Sequence, residues 1–272
     1  MEIEIFDVEH GACALVTTDN GKRLLFDCGH NSSTDWRPSS SLPARGITRV
    51  DSLVVSNYDE DHVSDLPDLL RNVHVPVLVR NPSVRPADLY ALKAENGVGR
   101  GIGTLAYMVG NHYTAPVVGP QDYGALQIAH FWNTYPALDD ENNLSLVTIL
   151  RYHNLGVIFP GDLERAGWYR LLARAEFRAA LRGVNVFVAS HHGREGGYCP
   201  EVFEYCAPEI VIFSDKGVAH ETQKTAALYR QHAAGVRFFD SETRYVLTTR
   251  NNGAIRLSQH GPGMGFVWIS RR

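Results

Sequence analysis

Apolar positions alternate from the start of the chain. Ile3, Ile5 and Val8 open a β-like run, and Ala12 to Val16 and Arg23 to Phe26 predict two more short strands, divided by Gly11 and an Asp19-Asn20-Gly21 turn. Asn31 to Arg45 is rich in Ser and Pro with little periodicity, so it reads as an exposed loop or an inserted flap able to cover a site. Val50 to Ser56 is a compact apolar strand, followed by Val63, Leu66, Leu69 and Leu70 at helical spacing. Val75 to Val79 predicts another strand, and Arg85 to Gly110 helical stretches broken by glycines.

The second half continues the alternation. Leu126 to Phe131, Leu144 to Tyr152 and Leu155 to Phe159 predict strands, the last two joined at His153-Asn154. Leu163 to Leu181 has a single apolar stripe and predicts one amphipathic helix. Val184 to Ala189 is an apolar strand ending in Ser190-His191-His192-Gly193. A short helix near Pro200 to Tyr205, a strand at Ile210 to Phe213, a helix from about Glu221 to Ala233 and strands near Val236, Val246 and Ile255 complete the pattern. With no linker, low-complexity tract or fixed-period repeat, residues 1–272 are expected to form a single domain of mixed α/β class, two sheets flanked by helices.

Composition narrows this picture. The 44% apolar and 21% charged shares are those of a globular chain with a substantial core. No apolar run approaches the roughly 18–20 residues that cross a bilayer, and Met1 is followed directly by a strand pattern, so a soluble cytoplasmic protein without a membrane partner is expected. Cys13, Cys28, Cys199 and Cys206 lack C-x-x-C spacing and read as reduced, buried thiols. A net charge of −4 argues against a surface that grips a long polyanion throughout, while leaving room for a local basic groove. Arg37, Arg45 and Arg49 are scattered surface charges rather than a polyanion track, and Trp132 and Tyr135 read as core aromatics rather than a base-stacking platform.

The sharpest local feature is Ser56-Asn57-Tyr58-Asp59-Glu60-Asp61-His62, three carboxylates and an imidazole in one strand-to-helix loop. Crowded carboxylates repel one another, and a cation between them is the natural stabiliser. Acids decorating a helix N-terminus are the competing account, and on this loop alone the two are balanced. His130, Asp162 after Gly161, and His191-His192-Gly193 each sit at the end of a separate predicted strand. If those ends converge, they supply mixed nitrogen and oxygen donors suited to zinc or manganese.

These segments, taken in order, resemble the metallo-β-lactamase superfamily, most closely its ComEC-like hydrolase branch. Phe6 to Gly11 is similar to the branch's opening D-V-G-x-G segment, Leu25 to Gly29 to its l-i-D-x-G, and Asn57 to His62 stands where H-x-D-x-D-H is expected. Asn142 to Leu146 resembles N-N-x-S-L, Pro160-Gly161-Asp162 t-G-D, Ser190 to Gly193 g-H-H-G, and His220 a late histidine before a helix. The resemblance implies an αββα four-layer sandwich, with Asn57, Asp59 and His130 at a first metal, Asp61, His62 and His192 at a second, and Asp162 bridging. It also implies a water activated between two cations about 3.5–4 Å apart. Asp61, His191 and His220 form the implied catalytic set, His191 as proton donor and His220 in contact with substrate or as a second donor; which of His191 and His192 faces the metals stays open. Asp27 is implied to orient the metal loop.

Asn57 departs from the family's histidine. An amide oxygen is a poor zinc ligand and a better one for harder cations, so one ion is expected to be held tightly and a second weakly or not at all. The expected activity is metal-dependent hydrolysis of the phosphodiesterase or nuclease type, on a nucleotide or other phosphoester, with nucleic acid as a further candidate partner. The alternative is a catalytically silent binding or interaction module that keeps the fold with a degenerate first site.

Overall fold

In the computed structural model, which describes residues 1–94, 97–119, 121–216 and 221–270, the strands in chain order are β1 (Glu2–Ile5), β2 (Ala14–Thr17), β3 (Arg23–Phe26), β4 (Ser52–Val54) and β5 (Leu78–Val79). After them come β6 (Gln127–Trp132), β7 (Leu146–Tyr152), β8 (Leu155–Phe159), β9 (Val186–Val188) and β10 (Ile210–Phe213). The last are β11 (Val236–Arg237), β12 (Thr243–Arg244), β13 (Val246–Thr248), β14 (Ile255–Gln259) and β15 (Gly265–Ile269). One sheet has the order β15-β14-β1-β2-β3-β4-β5 and the other β13-β10-β9-β8-β7-β6, with β11 and β12 as a separate ribbon.

The sheets face each other across an apolar layer. Ile5, Val16, Phe26 and Val54 come from the first and Leu146, Val157, Phe159 and Ile212 from the second, with Phe26 and Phe159 stacked at 4.6 Å. The outer face of the first sheet buries Leu25, Leu53 and Val55 against Leu42, Leu66, Leu69, Ile102 and Leu105 of the helices Pro38–Ala44, Leu66–Asn72 and Arg100–Asn111. The outer face of the second buries Val147, Ile149 and Phe187 against Trp168, Leu171, Phe177 and Leu181. Strands buried on both faces read as continuous apolar runs, which is why the central ones were legible. The result is the αββα four-layer sandwich.

Two expectations change. Residues 31–45 are not an exposed flap: after a bridge between Asn31 and Trp36, Pro38–Ala44 is a helix with Ser39 and Leu42 buried. The fully buried Asp65 accepts hydrogen bonds from the Ser39 N–H (2.7 Å) and hydroxyl (3.0 Å), so a polar anchor replaces the apolar stripe that periodicity looks for. Leu163 to Leu181 divides into helices Arg165–Leu172 and Ala175–Leu181, because Arg174 is extended (φ −90°, ψ 124°). Strand β15 was not anticipated; its mixed, largely exposed positions carry no alternation.

β3, β4 and β5 run parallel, as do β8, β9, β10 and β13. Their carboxyl ends point to one edge of the sandwich, where loops from both sheets meet, the general location of ligand sites in such sheets. Leu146 N donates to the carbonyl of Ser56 at 2.7 Å, joining the two sheets there. All four cysteines are buried and unpaired. No helix among the described residues is long and apolar enough to cross a membrane.

Candidate metal centre

Three loops bring together Asp61, His62, Asp162 and His192. The loop after β4 delivers Asp61 and His62, the loop after β8 delivers Asp162, and the turn after β9 delivers His191 and His192. Asp162, His62 and His192 are 2%, 1% and 4% exposed, so three ionisable groups meet out of water. His62 Nε2 lies 3.1 Å from Asp162 Oδ1, and His192 Nε2 lies 3.4 Å from both Asp61 Oδ2 and Asp162 Oδ2. One ligand atom each from Asp61, His62 and His192 falls within 4.8 Å of the others.

The backbone is built to allow this. Gly11 (φ +140°) and Gly29 pack against the Asp61 carbonyl so closely that a Cβ would stand 2.6 and 2.3 Å from its oxygen. Only a bare Cα fits there. His191 (φ 50°) and His192 (φ 53°) are both left-handed, which turns two successive side chains inward instead of to opposite sides. Both therefore approach Asp162: His191 Nε2 is 3.8 Å from its Oδ2, farther than His192. Asn57 Nδ2 and the Asp162 N–H both donate to Ser145 Oγ at 3.0 Å, so one hydroxyl holds the two loops together.

Each central imidazole has its outer nitrogen fixed. His62 Nδ1 pairs with Asp27 Oδ2 at 2.9 Å, and Asp27 also accepts from the Ser56 N–H (2.7 Å) and hydroxyl (2.5 Å). His192 Nδ1 donates to the Ser214 carbonyl at 3.0 Å. Those contacts leave Nε2 of each ring aimed into the cluster, buried and with no aligned hydrogen-bond partner. Buried polar atoms are rarely left so. Together with two carboxylates, this donor set fits a divalent metal ion, the outer nitrogens being tied down as metal-binding histidines require.

The electrostatics agree. Burial alone drives His62 toward its neutral form, but the charges of Asp162 and Asp27 outweigh it and hold the imidazole well above its ordinary value. His192, likewise opposed by burial, is lifted to about 10 by Asp162 and Asp61. Despite their own burial, Asp61 is held at about 2 by His192 and His62, and Asp162 well below the usual carboxylate range by the same pair. In the metal-free protein, protons on the histidines thus supply the positive charge that the carboxylates demand.

The remaining sequence-predicted residues are distributed as follows. Asp59 does not join the cluster; it is bonded by the Lys93 ammonium, which also lies 2.6 Å from Glu141 Oε1. Asn57 accepts the Asp59 N–H (2.7 Å) and donates to Ser145, to the Glu141 carbonyl (3.2 Å) and to Asn142 Oδ1 (3.4 Å), so its amide serves as a loop clamp. His130 is not brought to the cluster: it faces the space between the sheets beside Leu24 and Val54, paired with Thr148 Oγ1 at 2.9 Å, and burial pulls it down to about 4. Its place in the middle of β6, with a period of two, turns it away from the loop edge. His220 lies outside the described residues. Arg37, Arg45 and Arg49 pair with Asp35, Glu4 and Asp51. Tyr135 packs on the first outer core and Trp132 on the inner one.

Sequence reasoning missed His10, Lys93, Glu141 and Arg194. Arg194 Nη2 donates to His10 Nε2 (2.9 Å) and its Nη1 to His191 Nε2 (3.3 Å), while His191 Nδ1 pairs with Glu164 at 2.9 Å. His10 stands 5.5 Å from the His192 ring, and burial, then the charges of His192 and Arg194, keep it below its usual value. His10 and Arg194 lay inside or next to the matching motifs and were open to notice; Lys93 carried no local signal.

The chain is 25% identical to ComE operon protein 3 of Bacillus subtilis over 276 residues, 94% of this chain but 32% of that protein, so it spans about a third of its relative's length. The fold is similar to that of the metallo-beta-lactamase fold protein YhfI from B. subtilis, with a TM-score of 0.50 at 10% identity, covering 98% of this chain and 99% of the other. It is also similar to CmlA, a diiron beta-hydroxylase from Streptomyces venezuelae, with a TM-score of 0.54 at 14% identity, covering 94% and 54% of the two chains. Residues 6–199 match the metallo-beta-lactamase superfamily, and it is to this superfamily, with its sandwich and its strand-end cluster, that the chain belongs.

Proposed function

We propose that the chain is a metal-dependent hydrolase of the phosphodiesterase or nuclease type, acting on a nucleotide or other phosphoester, and that residues 1–272 work as a single metallo-β-lactamase-like domain of the cytoplasm. The observation that carries this reading is the pair of buried Nε2 atoms of His62 and His192, directed at the Asp61 and Asp162 carboxylates without an aligned hydrogen bond. A divalent ion, when bound, supplies a Lewis acid that lowers the pKa of water and polarises a phosphoryl oxygen. Asp61, His62, Asp162 and His192 would hold it, with Asp27 and the Ser214 carbonyl fixing the two rings.

Residues beside that centre suit an anionic substrate. The half-buried Arg194 guanidinium, bonded to ring nitrogens of His10 and His191, offers a planar fork to a phosphoryl group. Once that group draws Arg194 away, His191 Nε2 is free to take a proton from water and deliver it to the leaving oxygen, its Nδ1 oriented by Glu164. Elsewhere the arginines flagged in the sequence are already paired with carboxylates, which supports a small phosphoester over a long nucleic acid.

The second reading, a silent binding module, is favoured by Asn57 and Asp59 both being engaged inside the protein. Hydrolysis of bis-p-nitrophenyl phosphate with added manganese, zinc or magnesium separates the two. Metal-dependent turnover that Asp61→Ala abolishes is the expected result; a folded protein that takes up no metal supports the module.

A further inference from the structure

Lys93 is the residue immediately after helix Pro86–Leu92 and is only 6% exposed. Its ammonium is bonded to Asp59 Oδ1 and lies 2.6 Å from Glu141 Oε1. Asn57 closes the group, accepting the Asp59 N–H and donating to the Glu141 carbonyl. Two carboxylates thus gather around a single fixed cation, and the Asn57 amide ties together the backbone segments that carry them. The group is coupled to the candidate metal centre by two short paths: Asp59 is two residues from Asp61, and Glu141 is four from Ser145, whose hydroxyl takes the Asp162 N–H.

The resemblance drawn from sequence assigns Asn57 and Asp59 to a first metal. We propose instead that the Lys93 ammonium is the permanent second cation of this site, so that the chain binds one divalent ion, at Asp61, His62, Asp162 and His192. The inference rests on the reading of those four residues as a metal centre. An ion between Asp59 and Glu141 would have to displace an ammonium already within hydrogen-bond distance of both, and like charges at that spacing repel. Removing the ammonium leaves the carboxylates of Asp59 and Glu141, oxygen donors that suit manganese better than zinc.

The test is the number of Mn2+ ions bound per chain, by equilibrium dialysis with bound manganese measured directly. The wild type is expected to hold one. Lys93→Ala and the closer-fitting Lys93→Gln should each hold two, Lys93→Arg one, and Lys93→Ala/Asp59→Ala should return to one. In the wild-type background Asp59→Ala should keep its one ion with affinity within about threefold, an outcome that does not depend on the Lys93 variants folding. Two ions in the wild type, one ion in a folded neutral Lys93 variant, or loss of an ion in Asp59→Ala overturns the proposal. A wild type that binds none removes the metal-centre reading itself; a buried ion pair with a structural role alone would leave every stoichiometry unchanged.

Discussion

Replacing Asp27 with alanine tests how the centre is held. The carboxylate is 2% exposed and accepts three hydrogen bonds, from the Ser56 N–H, the Ser56 hydroxyl and His62 Nδ1. Each buried donor left without an acceptor costs about 1–3 kcal/mol. Ser56 Oγ lies 3.2 Å from His62 Nδ1 and can turn to it, so the three losses overlap. Breaking one side of a buried charge pair costs about 3–5 kcal/mol, and we expect Asp27→Ala to lose that much in denaturant unfolding of the metal-free protein. A freed His62 ring should also weaken metal binding about 10–100-fold. Asp27→Asn keeps an acceptor oxygen and should lose less on both counts. The assay pairs urea unfolding with a competition titration against a metal-binding dye. Undiminished metal affinity in a folded Asp27→Ala protein would refute the argument that this carboxylate orients His62.

Three further outcomes follow from the same structure. In metal-free protein, His62 and His192 are raised above the 6.5 of the unfolded chain, so their contribution is complete below pH 6.5 and is lost as pH rises toward the value of about 10 for His192; Asp61 and Asp162 contribute above pH 3.8 and lose it toward pH 2. Thermal unfolding with chelator should therefore show Tm falling from pH 6.5 to 9, and metal affinity should rise over that interval as the ion displaces protons; a flat profile contradicts the assigned charges. Gly29→Ala sets a Cβ 2.3 Å from the Asp61 carbonyl and should destabilise the fold by about 1–3 kcal/mol while loosening the metal loop, read by unfolding and by metal titration. Asp65→Ala unties Ser39 and should increase proteolysis within residues 31–45, leaving metal stoichiometry unchanged.

Much of this molecule could be read without coordinates because its central strands are buried on both faces and its ligands cluster at their ends. β3, β8 and β10 emerged within their predicted ranges for that reason. The helix at Pro38–Ala44 did not, since its docking rests on Asp65 rather than on spaced leucines, and the break at Arg174 has no proline or glycine to announce it. Within the site, the motif loops brought Asp61, His62, Asp162 and His192 together. Motif position could not say that two adjacent left-handed residues would turn both His191 and His192 inward, nor that His130 faces a different space between the sheets. Lys93 was invisible because a lysine's meaning depends on what it reaches, and Asp59 and Glu141 are 34 and 48 positions away along the chain.

The central claim is that His62 and His192 present Nε2 to one divalent ion shared with Asp61 and Asp162. X-ray absorption at the zinc edge, on protein loaded with one equivalent of Zn2+, addresses it directly. The account predicts two imidazole nitrogens and carboxylate oxygens around the metal, falling to one imidazole in His192→Ala. A zinc sphere without imidazole, or one unchanged by His192→Ala, would contradict it.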